Sequence, residues 1–196
     1  MNLSPARRAL AWKLNWFRQS ELEGALLLGR VAGMAESRPL NERLIRHCAE
    51  EAQHAQLWAE AIAELDLPHI RIFRSYQSFY LQHTGAPASL LEVLAFTQIF
   101  ERRVHRRFLA ELQASGTPPA ARRAFRIMIH DEKDHLAWVA GWLRDQPEAP
   151  EALARYGRAD EAVYRELAPR EGRLWEIRGL GQEPPEFAHA FNTAID

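Results

Sequence analysis

Apolar side chains recur along most of this chain at i, i+3, i+4 and i+7, the pattern of helices with one buried face. The first such stretch runs from about Trp12 to Met34, with Leu14, Phe17, Ala25, Leu28 and Ala32 on one stripe; residues 1–12 read as a short lead-in. Ser37-Arg38-Pro39 breaks the pattern, and Asn41 is placed to cap a second helix. That helix runs to about Leu65 with Leu44, Cys48, Ala55, Trp58 and Ile62 inward, and Pro68 ends it. A third helix spans about Ser89–Ser115 on Leu91, Leu94, Val104, Phe108 and Leu112. Gly116-Thr117-Pro118-Pro119 then turns the chain into a fourth helix, which runs to about Asp145 on Phe125, Met128, Val139 and Trp142. So short a link makes the third and fourth helices antiparallel neighbours. Residues 66–88 are mixed and aromatic, and too long for a tight turn, so they read as a crossover along a bundle. The tail predicts one more helix, about Glu151–Leu167, followed by a Gly- and Pro-rich irregular stretch. The pattern predicts an all-α domain of four long helices over 1–147. Residues 148–196 are expected to form a C-terminal helix and tail packed on the same domain.

Polar residues interrupt each stripe. Glu21 falls on the first, Glu51 and His54 on the second, Glu101 on the third, and Glu132 and His135 on the fourth. Glu23 lies about 200° further round its helix than Glu21 and reads as outward. At 3.6 residues per turn, the Glu and His of Glu51-x-x-His54 and of Glu132-x-x-His135 project from one helix face, where they can share a metal ion. A single Glu-x-x-His match is weak: the 20 Glu and 8 His of the chain give roughly one by chance. A third match, Glu186-Phe187-Ala188-His189, follows two prolines off any helical pattern and is assigned no metal. The order Glu21, Glu51/His54, Glu101, Glu132/His135 is far more specific. Four buried carboxylates cost several kcal/mol each unless paired, and no Lys or Arg shares their stripes, whereas two divalent cations would balance them. The alternative is a metal-free bundle in which Glu and His bond to one another or to water.

Residues beside the motifs extend the reading. A metal-bound His donates its other N–H to an acceptor, and across antiparallel pairs Asp131 can serve His54 and Glu50 can serve His135; the alternative, equal in weight for Glu50, is a solvated carboxylate. His105 and His47 lie one turn from Glu101 and Glu51. Both are read as polar residues near the bundle end, with an extra ligand or a proton carrier as the alternative. His130 reads as outward, and Trp58 and Trp138 as core. Cys48 reads as a buried small apolar residue. No Tyr falls beside a ligand on the stripes, which argues against a stable tyrosyl radical.

Composition narrows the classes. With 47% hydrophobic and 26% charged residues and a net charge of -1, no global field points to nucleic acid or membrane. One cysteine excludes an internal disulfide and a four-Cys iron–sulfur cluster, and fits a reducing, cytoplasmic setting. No run approaches the roughly 18 apolar residues of a membrane span, and Arg7 and Arg8 precede no apolar core of a signal peptide. Arg102, Arg103, Arg106 and Arg107, near the end of the third helix, and Arg122, Arg123 and Arg126, at the start of the fourth, read as a solvated face paired with Glu111 and others. The functional alternative is a basic patch for RNA phosphates or an acidic redox partner.

These motifs resemble those of the ferritin-like di-iron carboxylate proteins, among them rubrerythrin, bacterioferritin and the tRNA hydroxylase group, over about residues 10–145. The segment Ser20-Glu21-Leu22-Glu23-Gly24-Ala25-Leu26-Leu27-Leu28-Gly29-Arg30 looks like the first helix of small rubrerythrin-like members. The resemblance implies a ferritin-like four-helix bundle with a long crossover between helices 2 and 3 and a C-terminal extra helix. It implies two iron ions, with Glu51 and Glu132 bridging, Glu21 and Glu101 terminal, and one His on each iron. Mn/Fe and Mn/Mn pairs use the same ligands; no haem is implied, and no catalytic residue beyond the ligands is assigned. The implied activity is a di-iron oxidoreductase using dioxygen or peroxide on a small organic molecule or a tRNA nucleotide. The electron donor must be external, because the four cysteines of a rubredoxin-like tail are absent. The alternative is an iron-storage or detoxifying ferroxidase. The long tail suits a cover over the site or the face of a homodimer.

Overall fold

Local capping chemistry sets where the helices begin, and it moves two expected boundaries. In the computed structural model, described over residues 3–184, helix α1 (Pro5–Ala32) starts inside the expected lead-in. Ser4 accepts a hydrogen bond from the Arg7 amide at 3.4 Å, and Pro5 occupies the first turn, where its missing N–H costs nothing. Helix α2 (Arg38–Glu64) is capped by Ser37, not Asn41. The Asn41 amide instead donates to the carbonyl of Ala32 at 2.8 Å and so closes the end of α1.

The stretch 66–88 is more ordered than its composition suggests. It holds a short strand β1 (Arg71–Ile72) and helix α3 (Tyr76–Thr84), which Ser75 caps and Gly85, at φ 71°, terminates. Helices α4 (Leu90–Gln113), α5 (Pro119–Arg144) and α6 (Ala149–Leu167) follow, then a 3-10 segment over Ala168–Glu176 and strand β2 (Gly181–Gln182). β2 pairs antiparallel with β1, Ile72 opposite Gly181. A Cβ at Gly181 would lie 2.7 Å from the Arg71 carbonyl, so only glycine allows this pairing. The tail past Pro169 is thus tied down as far as Glu183, which accepts from Arg8 Nε at 2.7 Å and from Trp12 Nε1 at 2.5 Å.

The described chain is all-α apart from this two-residue strand pair. α1 packs on α2, α2 on α5, α5 on α4, and α4 on α1, while α6 covers α4 and α3. Most of the inward stripes read from the sequence are buried: Leu14, Phe17, Glu21, Ala25, Leu28 and Ala32 on α1, and Phe125, Met128, Glu132, His135 and Val139 on α5. Trp142 on α5, Cys48 on α2, and Leu91, Val104 and Leu112 on α4, all read as inward, are only half-buried, because they lie toward the edges of their stripes. An aromatic layer of Phe17, Trp58, Phe108 and Phe125, with ring centroids 4.9–6.1 Å apart, joins the four long helices. Each such ring contributes roughly 1.5–3 kcal/mol through burial. α3, α4 and α6 are pinned at Asp160, which accepts from Tyr80 Oη at 2.5 Å and from Arg103 Nε at 2.9 Å. No described helix is long and apolar enough to cross a membrane.

Candidate metal centre

A layer of carboxylates and imidazoles lies in the interior among the four long helices. α1 delivers Glu21; α2 delivers His47, Glu51 and His54; α4 delivers Glu101; α5 delivers Glu132 and His135. All seven side chains are buried, at 1–5% exposure. They form two groups whose donor atoms lie within 4.8 Å of one another: Glu21, Glu51, His54 and Glu132, and His47, Glu51, Glu101 and His135. Glu51 belongs to both. The structure therefore brings together all six residues expected from the sequence. His47 joins them, correcting its reading as a polar residue near a bundle end. His105 is half-buried on α4 and outside both groups, and His130 is exposed. The third motif, Glu186 and His189, lies outside the described residues.

The contacts in the layer are close but are not hydrogen bonds. His47 Nε2 is 2.9 Å from Glu101 Oε1 and 3.4 Å from Glu51 Oε1; Glu51 Oε1 is also 3.4 Å from His135 Nδ1 and 3.7 Å from His54 Nδ1. Yet both ring nitrogens of His47, Nδ1 of His54 and of His135, Glu51 Oε1, Glu101 Oε2 and Glu132 Oε2 are buried without a hydrogen-bond partner. Buried polar atoms are nearly always satisfied, so such a concentration of orphans asks for a missing partner. Donors held about 2.0–2.2 Å from one ion at roughly right angles lie about 3 Å apart, close to the shorter spacings here. The donor set fits a divalent cation of the iron, manganese or zinc kind.

The outer nitrogens are already engaged. His54 Nε2 lies 3.1 Å from Asp131 Oδ2, and His135 Nε2 lies 2.9 Å from Glu50 Oε2, the cross-pairing expected from the sequence. With Nε2–H donated to a carboxylate, the lone pair of each ring sits on Nδ1, which faces the cluster. On the first helix, Trp58 Nε1 donates to Glu21 Oε1 at 3.4 Å. Glu23 is not simply outward: it accepts from Gln19 at 3.2 Å and from the Ser75 hydroxyl, linking α1 to the cap of α3.

Without a cation the layer is electrostatically strained. Burial raises the Glu21 and Glu132 carboxyls well above the usual range, and neighbouring carboxylates push the same way. Burial acts likewise on Glu51 but is outweighed by His47, His54 and His135, which hold it down at about 2. His47 would be lowered by burial, but Glu101 and Glu51 carry it to about 10.

Two residues escaped sequence reasoning. Gly24, one turn after Glu21, leaves room for the Glu51 carboxylate: a Cβ there would meet Oε2 at 3.0 Å. A mid-helix glycine costs about 1 kcal/mol against alanine, and that cost was the available signal. Gln77 of α3 lines the same small void of about 20 Å3 among the carboxylates and donates to the Ser20 carbonyl at 2.7 Å. It could not be found because α3 was not foreseen.

The seven arginines do not converge. Arg103 binds Asp160 and Glu161, Arg107 pairs with Glu171 at 3.1 Å, and Arg123 pairs with Glu64. Arg122 donates to the carbonyls of Leu112, Ala114 and Thr117 at the end of α4. Arg102, Arg106 and Arg126 are exposed. Glu111 pairs with Lys13 at 2.6 Å. No family model, curated protein or solved structure matches the chain.

Proposed function

We propose that the four long helices form a ferritin-like bundle, with residues 65–89 as its crossover, that holds two divalent metal ions, and that the protein is a di-iron oxidoreductase. The observation that carries this reading is the pair of buried donor groups sharing Glu51 and populated by orphaned acceptor atoms. One ion would be held by Glu21, Glu51, His54 and Glu132, the other by His47, Glu51, Glu101 and His135. When bound, two irons supply paired one-electron changes, suited to reducing dioxygen or peroxide; for an oxygenase the balance is R–H + O2 + 2 electrons + 2 protons giving R–OH + H2O.

The chain's own residues have separable tasks. Asp131 and Glu50 fix the rings of His54 and His135 in the tautomer that presents Nδ1. Trp58 holds one oxygen of Glu21 and leaves the other to bind. Phe17 and Phe108 wall the space beside Glu21. With one cysteine in the chain, the electrons come from a separate donor. The RNA reading is less favoured, because Arg103, Arg122 and Arg123 are bound within the chain and the other four do not line one face.

Metal content per chain, followed by dioxygen uptake after anaerobic Fe(II) loading, tests the proposal. About two irons that react and then stop until a reductant is added are expected from the two donor groups. Continued oxidation of dozens of Fe(II) per chain in a large assembly would replace it with an iron-storage role. Folded protein that takes up no metal would refute it.

A further inference from the structure

Beside the metal layer lies a second cavity of about 600 Å3, within the usual range for small-molecule sites. It shares Glu21, Phe100 and Val104 with the small void among the carboxylates, so the two spaces are separated by one layer of side chains. Rings form much of its apolar wall: Trp16 and Phe17 of α1, Tyr76 of α3, and Phe100 and Phe108 of α4. Its charged lining is Lys13, Arg103, Arg106 and Arg107 against Glu21, Glu111 and Glu171. Lys13 pairs with Glu111 and Arg103 with Asp160, which leaves Arg106 and Arg107 to meet a ligand.

Arg107 is the most informative of these. Its guanidinium sits 4.6 Å over the ring of Phe17, and its Nη2 lies 3.1 Å from Glu171. Even so, its Nε and Nη2 are buried without a hydrogen-bond partner. A buried donor left unmade is costly, and a charged acceptor is its strongest partner.

We propose that this cavity binds a small organic anion. Its carboxylate or phosphate would be held by Nε and Nη2 of Arg107 with Arg106 beside them, and its apolar body would lie against Phe17, Phe100 and Phe108 with the far end beside Glu21. As a substrate site the cavity rests on the redox reading above; as a binding site it does not. The arginines outside the cavity do not form a track for a polymer.

Isothermal titration of the full chain, metal-free and Zn(II)-loaded, with 2-naphthoate and with the neutral 2-naphthalenemethanol tests the proposal. The anion is expected to bind at least ten-fold more tightly than the alcohol in both forms. Arg107→Gln should remove that preference while leaving alcohol binding within about two-fold, which a general loss of packing would not do. Ala110→Trp, a change at an exposed lining position, should weaken both ligands with an unchanged melting curve, and it tests the location should Arg107→Gln fail to fold. Equal binding of anion and alcohol, binding untouched by Ala110→Trp, or displacement of naphthoate by single-stranded RNA at equal concentration would overturn the proposal. Naphthoate binding to a chain that takes up no metal would refute the redox reading alone. Two bound metals without naphthoate binding would refute the cavity assignment alone.

Discussion

Gly24→Ala separates the metal centre from the packing around it. The added methyl would lie 3.0 Å from Oε2 of Glu51, 3.7 Å from its Cδ and 3.8 Å from its Cγ. An ordinary carbon–oxygen contact is nearer 3.4 Å, so the carboxylate must withdraw by about 0.4 Å. Against this, alanine favours the middle of α1 by about 0.8–1.0 kcal/mol. In the metal-free protein the carboxylate is the far end of a flexible side chain, so it can yield. The variant should then melt at the same temperature as the parent or up to roughly 2–4 °C higher.

Loaded protein should behave in the opposite way. Glu51 is the one residue common to both donor groups, so its displacement disturbs both ions. Loss of support for a ligand typically costs 10–100-fold in metal affinity. A hundred-fold loss removes about 2.7 kcal/mol of metal-linked stability at fixed free metal, roughly 5–10 °C for a chain of this size. Paired melts with and without metal, together with chelator competition, measure both arms. Metal affinity within about two-fold of the parent would refute the placement of Glu51 at the centre. A metal-free variant that melts far below the parent would show that the space beside Gly24 serves packing instead.

Asp131→Asn and Glu50→Gln should each weaken metal binding by about 10–100-fold through loss of ring orientation; chelator competition giving unchanged affinity would leave those carboxylates without that role. His47→Ala should lower bound metal from about two ions toward one per chain, read by elemental analysis, and retention of both with unaltered metal spectra would return His47 to a packing role. The pH dependence should differ in sign between the two forms. Glu21 and Glu132 are raised and His47 is raised to about 10, so the stability they give the metal-free fold is present at low pH and is lost as pH rises. Metal-free protein should therefore melt higher at pH 5.5 than at pH 8, while loaded protein should melt lower at pH 5.5 because protons compete for the same donors. Melts that move in the same direction in both forms would contradict this linkage.

The elements that carry the candidate centre were legible because each repeats one apolar stripe for four or more turns. A single Glu such as Glu21 or Glu101 stands out only against such a stripe. The cross-pairing of Glu50 with His135 and Asp131 with His54 was legible for a related reason: the residue before a stripe position is rotated by about 100°, toward the neighbouring helix. His47 was harder to place. Its angle on α2 was plain, but depth along a bundle depends on the offset between helices, which no single helix encodes. α3 and the β1–β2 pair had no period to betray them, since Ile70, Ile72, Tyr76, Phe79 and Tyr80 are all buried within one short stretch. The arginines misled in another way, because neighbours in sequence point to different faces: Arg103 and Arg107 turn toward α6 and the 3-10 segment, Arg106 lines the cavity beside Phe108, and Arg102 is exposed.

A structural polar layer and a metal layer make different demands on the same side chains. A network that only specifies packing gains nothing from atoms left unpaired, and a half-satisfied network is worse than an apolar core. Here seven buried atoms of the layer lack hydrogen-bond partners, while the outer Nε2 atoms of His54 and His135 are satisfied by carboxylates. The unsatisfied set consists of carboxylate oxygens and the lone-pair nitrogens that face them, together with His47. Protons could neutralise part of this set, as the raised Glu21 and Glu132 carboxyls indicate, but a proton on one carboxyl satisfies one contact, whereas an ion satisfies several at once. With folding stabilities of about 5–15 kcal/mol and several kcal/mol for each uncompensated buried charge, the aromatic layer of Phe17, Trp58, Phe108 and Phe125 would be opposed by its own neighbours unless cations entered between them. The six donors named from sequence and the seventh added by the fold form one electrostatic unit, whose unpaired atoms two divalent cations would satisfy.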